Sequence, residues 1–271
     1  MTDCPRSLLR SVLHVPAATA LLALALSAGA VAQTSPASTT PATPVATAST
    51  AATVPASSMA SRVLACTACH GKEGRATPDG YYPRIAGKPA GYLANQLLNF
   101  RDGRRSYPQM GYLIEHLTDD YLREMAEYFA ALDLPYPPPP PPQAPPAVLE
   151  QGRRLVQVGD AARSIPACVA CHGAAMTGVV PSIPGLLGLP RDYLNSQLGA
   201  WKTGQRRAHL PDCMADIARQ LTPDDVSAVS AWLAAQPVTA GGKPARTLPA
   251  AMPARCGGVA EVPVAAATAA R

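Results

Sequence analysis

The chain has 271 residues, 48% of them apolar and 15% charged, with 30 prolines, seven cysteines and a formal net charge of +5. That length allows one large domain or two small ones. The charge excludes a nucleic-acid footprint. Residues 33–136 carry nine basic and nine acidic side chains, and the excess gathers in the tail, on Lys243, Arg246, Arg255 and Arg271 against Glu261. No basic face interleaved with stacking aromatics occurs.

In chain order, Arg6 and Arg10 precede an apolar stretch, Ala17 to Leu26, that is too short to span a bilayer, and Ala30-Val31-Ala32 follows. Basic, then apolar, then small reads as a signal peptide at 1–32, cleaved after Ala32, with an uncleaved anchor helix as the alternative. No cysteine ends the apolar run, so a lipid anchor is not expected. The mature chain is then expected in the periplasm, an oxidising space, with no transmembrane anchor.

Residues 33–57 are almost wholly Ala, Thr, Ser, Pro and Val, a leader expected to be disordered because it cannot bury a core. A compact region is expected at 58–134. A Pro-rich linker at 135–146 contains six consecutive prolines, 137–142, a semi-rigid spacer of roughly 19 Å in polyproline II. A second compact region spans 147–236. At 237–271 the composition returns to Ala, Pro, Gly and Thr, a low-complexity tail.

The two compact regions repeat each other. CTACHG at 66–71 matches CVACHG at 168–173, and YLANQLLNFRDGRR at 92–105 matches YLNSQLGAWKTGQR at 193–206, at offsets of 102 and 101. YPRIAG at 82–87 aligns with VPSIPG at 180–185 at an offset of 98, and the segments starting at Met110 and Met214 align at 104. Each unit reads as helical. Pro89 and Pro190 open helices whose apolar residues recur at three- and four-residue spacing, and Gly103 and Gly204 fit their stops. Thr118 and Thr222, each followed by acids, open the closing helices, which end near Leu132 and Ala235. No stretch shows a convincing strand alternation.

Cys66-x-x-Cys69-His70 and Cys168-x-x-Cys171-His172 carry the attachment signature of c-type haem. Cysteines three apart share one helical face, where their thiols can add to two vinyl groups while the adjacent histidine reaches the iron. Zinc, a redox dithiol and structural disulfides are the alternatives. Two copies inside duplicated helical units behind a secretion signal favour two covalent haem c groups.

A sixth ligand decides between a closed carrier and an open, reactive iron. Met110 and Met214 are the only methionines that align between the repeats. Met125 aligns with Val229 and His116 with Gln220, Met176 lies too close to His172, and Met59 and Met252 sit in flanking sequence. His209 remains a competitor to Met214. Arg104/Arg105 and Arg206/Arg207 follow the second helix of each repeat and read as propionate partners, a docking surface or solvated helix-end charges.

Both halves resemble class I cytochrome c domains, and the tandem resembles the dihaem cytochromes of the c4 type. The resemblance rests on Cys-x-x-Cys-His-Gly, Pro-x-Ile-x-Gly, Tyr-Leu-x-x-Gln-Leu, Gly-x-Arg and a methionine before the closing helix, and it spans nearly all of both units. It implies an all-α fold of two tandem domains in which first and last helices cross over the haem. It implies that the carbonyls of Pro83 and Pro181 accept hydrogen bonds from the proximal histidine rings, and that the haem completes a small core. It also implies a carrier of single electrons from a quinol oxidoreductase or dehydrogenase to a terminal oxidase. The alternatives are a haem enzyme (a peroxidase or thiosulfate oxidiser) and a cytochrome subunit of a dehydrogenase complex. Two departures bear on packing: the long, stiff linker argues against close packing of the two haems, and the short helix before Cys66 suggests a less closed first domain.

Setting aside the haem cysteines and Cys4, Cys213 and Cys256 remain, most simply a disulfide in an oxidising compartment. Cys213 as an iron ligand is the alternative. The bridge would staple the tail beside Met214.

Overall fold

The computed structural model describes residues 58–265, and the signal peptide and leader expected at 1–57 lie outside them. The first half contains α1 (Met59–Arg62), α2 (Leu64–His70), α3 (Ala90–Arg101), α4 (Pro108–Ile114) and α5 (Asp119–Ala131). The second contains α6 (Pro146–Gln157), α7 (Val169–His172), α8 (Arg191–Thr203), α9 (Cys213–Gln220) and α10 (Pro223–Ala234). One two-residue strand pair, β1 (Gly178–Val179) against β2 (Ile183–Pro184), forms an antiparallel hairpin in the second half. It is too short to register as an alternating pattern.

The local chemistry explains the element ends. Thr118 and Thr222 sit in extended backbone and accept the amides of Tyr121 and Asp225, capping α5 and α10. At Thr222 the cap is reciprocal, because the Asp225 carboxylate takes the Thr222 amide in return. Pro89 and Pro190 precede α3 and α8 in extended conformation, and Gly204 ends α8 in the left-handed region.

Packing differs between the halves. In the second, α6 and α10 cross so closely that a Cβ at Gly152 would overlap the Ala228 carbonyl. Leu155, Val156, Val229 and Leu233 are buried in the same core. In the first, α3 packs on α5 around Leu93, Leu122, Met125 and Phe129, whereas α1 contains no buried residue and hands over to α2 at the buried Val63.

The halves are joined directly by backbone hydrogen bonds, stiff linker notwithstanding. The Ser106 amide donates to the Gln205 carbonyl at 3.0 Å and the Arg207 amide to the Arg104 carbonyl at 2.7 Å. The loops after α3 and α8 make these contacts, so linker stiffness does not govern them. Arg84 fastens the linker's start, donating to the carbonyls of Leu134 (2.6 Å) and Pro135 (3.2 Å) and stacking on the Tyr136 ring at 3.9 Å.

Candidate haem-binding site

The helices converge on one continuous cavity of about 740 Å³ shared by the two halves. Leu93, Leu97, Phe100 and Phe129 line it from the first half, and Leu194, Leu198, Trp201 and Leu233 from the second. Into this apolar space the fold brings Cys66, Cys69, His70, Pro83 and Met110, together with Cys168, Cys171, His172 and Met214. None of the four motif cysteines is paired in a disulfide, so all four sulfurs can serve as points of haem attachment.

Each histidine is oriented through its Nδ1. The His70 ring hydrogen-bonds the Pro83 carbonyl at 2.9 Å. The His172 ring hydrogen-bonds the carbonyl of Pro184, not Pro181, at 2.7 Å. The sequence alignment of this segment was therefore three residues out of register. The backbone gives the true one: the Gly74 carbonyl accepts the amides of Ile85 and Ala86, and the Met176 carbonyl those of Leu186 and Leu187. Pro83 thus corresponds to Pro184, at the same offset as the helices that follow. The Pro-x-Ile-x-Gly pattern recurs at Pro181, Ile183 and Gly185, but the spacing from histidine to acceptor, 13 residues in the first half and 12 in the second, selects Pro184. Pro181 lies exposed between β1 and β2, outside the cavity, with its carbonyl facing Gly91.

Burial lowers both histidines below the usual imidazole range, so each ring is neutral with Nδ1–H committed to a carbonyl. That leaves Nε2 as a free lone pair, the form in which imidazole binds iron. Paired thiols, an oriented neutral imidazole and an apolar cavity together fit haem c.

Between the halves a polar network repeats about a pseudo-twofold relation. Arg105 donates to Gln96, Gln197 and the Tyr193 hydroxyl, and Arg206 to Gln197, Gln96 and the Tyr92 hydroxyl, at 2.6–3.5 Å. Their guanidiniums stack on Phe100 and Trp201. Both arginines are buried and line the cavity, while Arg207 faces solvent and Arg104 pairs with Asp102. No carboxylate among the described residues pairs with Arg105 or Arg206. Lys88 escaped sequence reasoning altogether, because Leu189 holds the matching place. It is buried against the Gly185 carbonyl at 3.0 Å, and burial, with Arg84 nearby, lowers it to about 7.

Cys213 and Cys256 are joined as a disulfide, which places Met252, Ala254 and Val259 of the tail along the cavity wall. His209 reaches the same wall, but from an exposed loop.

Two helical units that each present a Cys-x-x-Cys-His helix and an oriented imidazole to an apolar cavity define a dihaem c-type cytochrome. No protein-family model matches the chain. It is 37% identical to a thiosulfate dehydrogenase electron acceptor of Thiomonas intermedia over 176 residues, 65% of this chain and 80% of that one. It is 30% identical to a cytochrome c4 of Pseudomonas aeruginosa, over 64% of this chain and 84% of that one. The crystal structure of reduced cytochrome c4 from Pseudomonas stutzeri superposes with a TM-score of 0.57 at 27% identity, over 65% of this chain and 95% of that one. The chain belongs to the cytochrome c4 family of tandem class I cytochromes, all-α dihaem electron-transfer proteins. It carries two covalently bound haem c groups at its two Cys-x-x-Cys-His motifs.

Proposed function

We propose that the protein is a periplasmic carrier that takes electrons one at a time from a dehydrogenase and passes them to an acceptor such as a terminal oxidase. The observation that carries this reading is that each half presents both a proximal histidine and an aligned methionine to one cavity. His70 with Met110, and His172 with Met214, would hold the two irons, leaving no open position for a substrate. Cys66 with Cys69, and Cys168 with Cys171, would hold the groups as thioethers. Bound there, haem c supplies a one-electron iron couple.

The protein's own groups do the rest. The Pro83 and Pro184 carbonyls fix the imidazole rings, the apolar walls exclude water, and Arg105 with Arg206 supplies cationic partners for the haem carboxylates. A buried guanidinium pair without an acid is costly, and two propionates would neutralise it. No helix among the described residues is long and apolar enough to cross a membrane, in keeping with a carrier that diffuses between partners.

The relative from Thiomonas intermedia is named as the acceptor of thiosulfate dehydrogenase, which makes an enzyme of that kind the first donor to test here. Stopped-flow reduction by a thiosulfate dehydrogenase with its substrate, set beside reduction by a quinol oxidoreductase, separates the candidate donors. A near-infrared spectrum of the oxidised protein is expected to show methionine-to-iron charge transfer from both haems. A high-spin signal or peroxide turnover would replace the carrier with a haem enzyme.

A further inference from the structure

The tail is an ordered strap over the second haem site, and among the described residues the first site has no counterpart. Its start runs beside the proximal hairpin: the Ala245 amide donates to Gly178 at 2.8 Å, the Val180 amide to Ala245 at 2.9 Å, and the Thr177 hydroxyl to Lys243 at 2.8 Å. That hairpin also carries Pro184, the acceptor for His172. Leu248 and Val262 are then buried with Val179 and Ile183, so the strap shares a small core with it. The chain continues along the cavity wall through Met252 and Ala254 to Cys256.

There it is tied to the helix that carries Met214. Cys256 bonds Cys213, the residue before that methionine. The Gly257 amide donates to the Pro211 carbonyl at 2.9 Å, and a Cβ at Gly257 would overlap the Leu210 carbonyl, so the strap backbone lies directly on the loop. Asp212 is buried and accepts the amides of Ala208 and Ala215 at 2.7 and 3.1 Å, closing the same loop from within. Asn95 of the first half holds the strap's far side through the Gly258 carbonyl at 2.6 Å.

At the matching place in the first half, Met110 lies on α4, whose N-cap Tyr107 makes no side-chain cap bond. Its neighbours Tyr112 and Leu113 are 77% and 47% exposed.

We infer that the strap, through Cys213–Cys256, positions Met214 and locks it against exchange, so that the second iron keeps its methionine under conditions in which the first gives its up. This rests on Met214 and Met110 being sixth ligands. Replacing the methionine with another ligand requires the start of α9 to swing away, a local opening. On the second side that opening must also break the strap's contacts with the hairpin, the loop and α3. Cys213, Cys256 and Gly257 are thus positioning residues.

The test uses oxidised holoprotein in a Met110→Ala background, in which only the second haem can contribute the methionine charge-transfer band. Loss of that band is titrated with imidazole, with the disulfide intact and in Cys213→Ser/Cys256→Ser. Opening the strap is expected to tighten imidazole binding at the second haem by about tenfold or more, a change equivalent to freeing one modest set of contacts. If the Met110→Ala protein lacks the band with its disulfide intact, the ligand reading itself is wrong. If the band is present and the two titrations superimpose, Met214 remains a ligand but the strap does not lock it. Should the double serine variant fail to take up haem, Gly257→Ala, which lifts the strap from Leu210 while keeping the disulfide, is expected to shift the titration the same way, and an unmoved curve overturns the inference.

Discussion

The two halves carry the same Cys-x-x-Cys-His chemistry in differently built frames. The first is closed by α3 on α5, with a four-residue α1 and exposed apolar residues beside Met110. The second is closed by a long α6 crossing α10 at Gly152, by a reciprocal cap at Thr222 and Asp225, and by the disulfide-tied strap. Duplication thus conserved the ligand-bearing turns, and reinforcement gathered on one copy.

The largest expected effect tests what the halves share. His70→Ala or His172→Ala removes an oriented imidazole and leaves a buried carbonyl unpaired, so each is expected to halve the haem content, measured as iron per chain. Retention of both haems in either variant would sink the site assignment.

Removing the disulfide acts chiefly on the second half, where both of its cysteines anchor the strap. Cys213 and Cys256 are 43 residues apart, and Cys213→Ser/Cys256→Ser is expected to cost about 4 kcal/mol by loop entropy, read by thermal unfolding of the holoprotein. Gly152→Ala forces a Cβ into the Ala228 carbonyl and is expected to cost about 2 kcal/mol, as overpacking of a tight crossing does.

Asp225 gives the contrast a pH signature. Burial pushes its carboxyl up, but Arg163 at 2.6 Å, the Thr222 amide and Gln151 outweigh that and hold it well below the usual carboxylate range. A depressed folded value stabilises the protein above the unfolded one, so the gain is complete from about pH 5 upward and fades as pH falls from there. Asp225→Asn is expected to lower the melting temperature at neutral pH, with the gap to wild type narrowing in acid. Tyr121 holds the matching place in the first half, so Tyr121→Phe should show no such pH dependence. The smallest effect is of opposite sign. Gly199 lies within α8 with open space where a Cβ would stand, and Gly199→Ala is expected to add about 0.5–1 kcal/mol.

Sequence alone determined the haem chemistry, the duplication and the helical frame, because these rest on local spacing: thiols three apart, a histidine next to them, threonine caps and a repeat. Cysteine arithmetic also singled out Cys213 with Cys256. It mistook Pro181 for Pro184, since both prolines lie in one Pro-Ser-Ile-Pro-Gly run and only the folded backbone shows which carbonyl meets the ring. Linker composition does not encode the contact between the halves, which the loops after α3 and α8 decide. Only the tertiary structure revealed the buried Arg105/Arg206 pair, without a carboxylate partner among the described residues, Lys88 against the Gly185 carbonyl, and the tail as a strap on both halves. Each depends on which distant groups share a desolvated space, and spacing along a chain does not encode that.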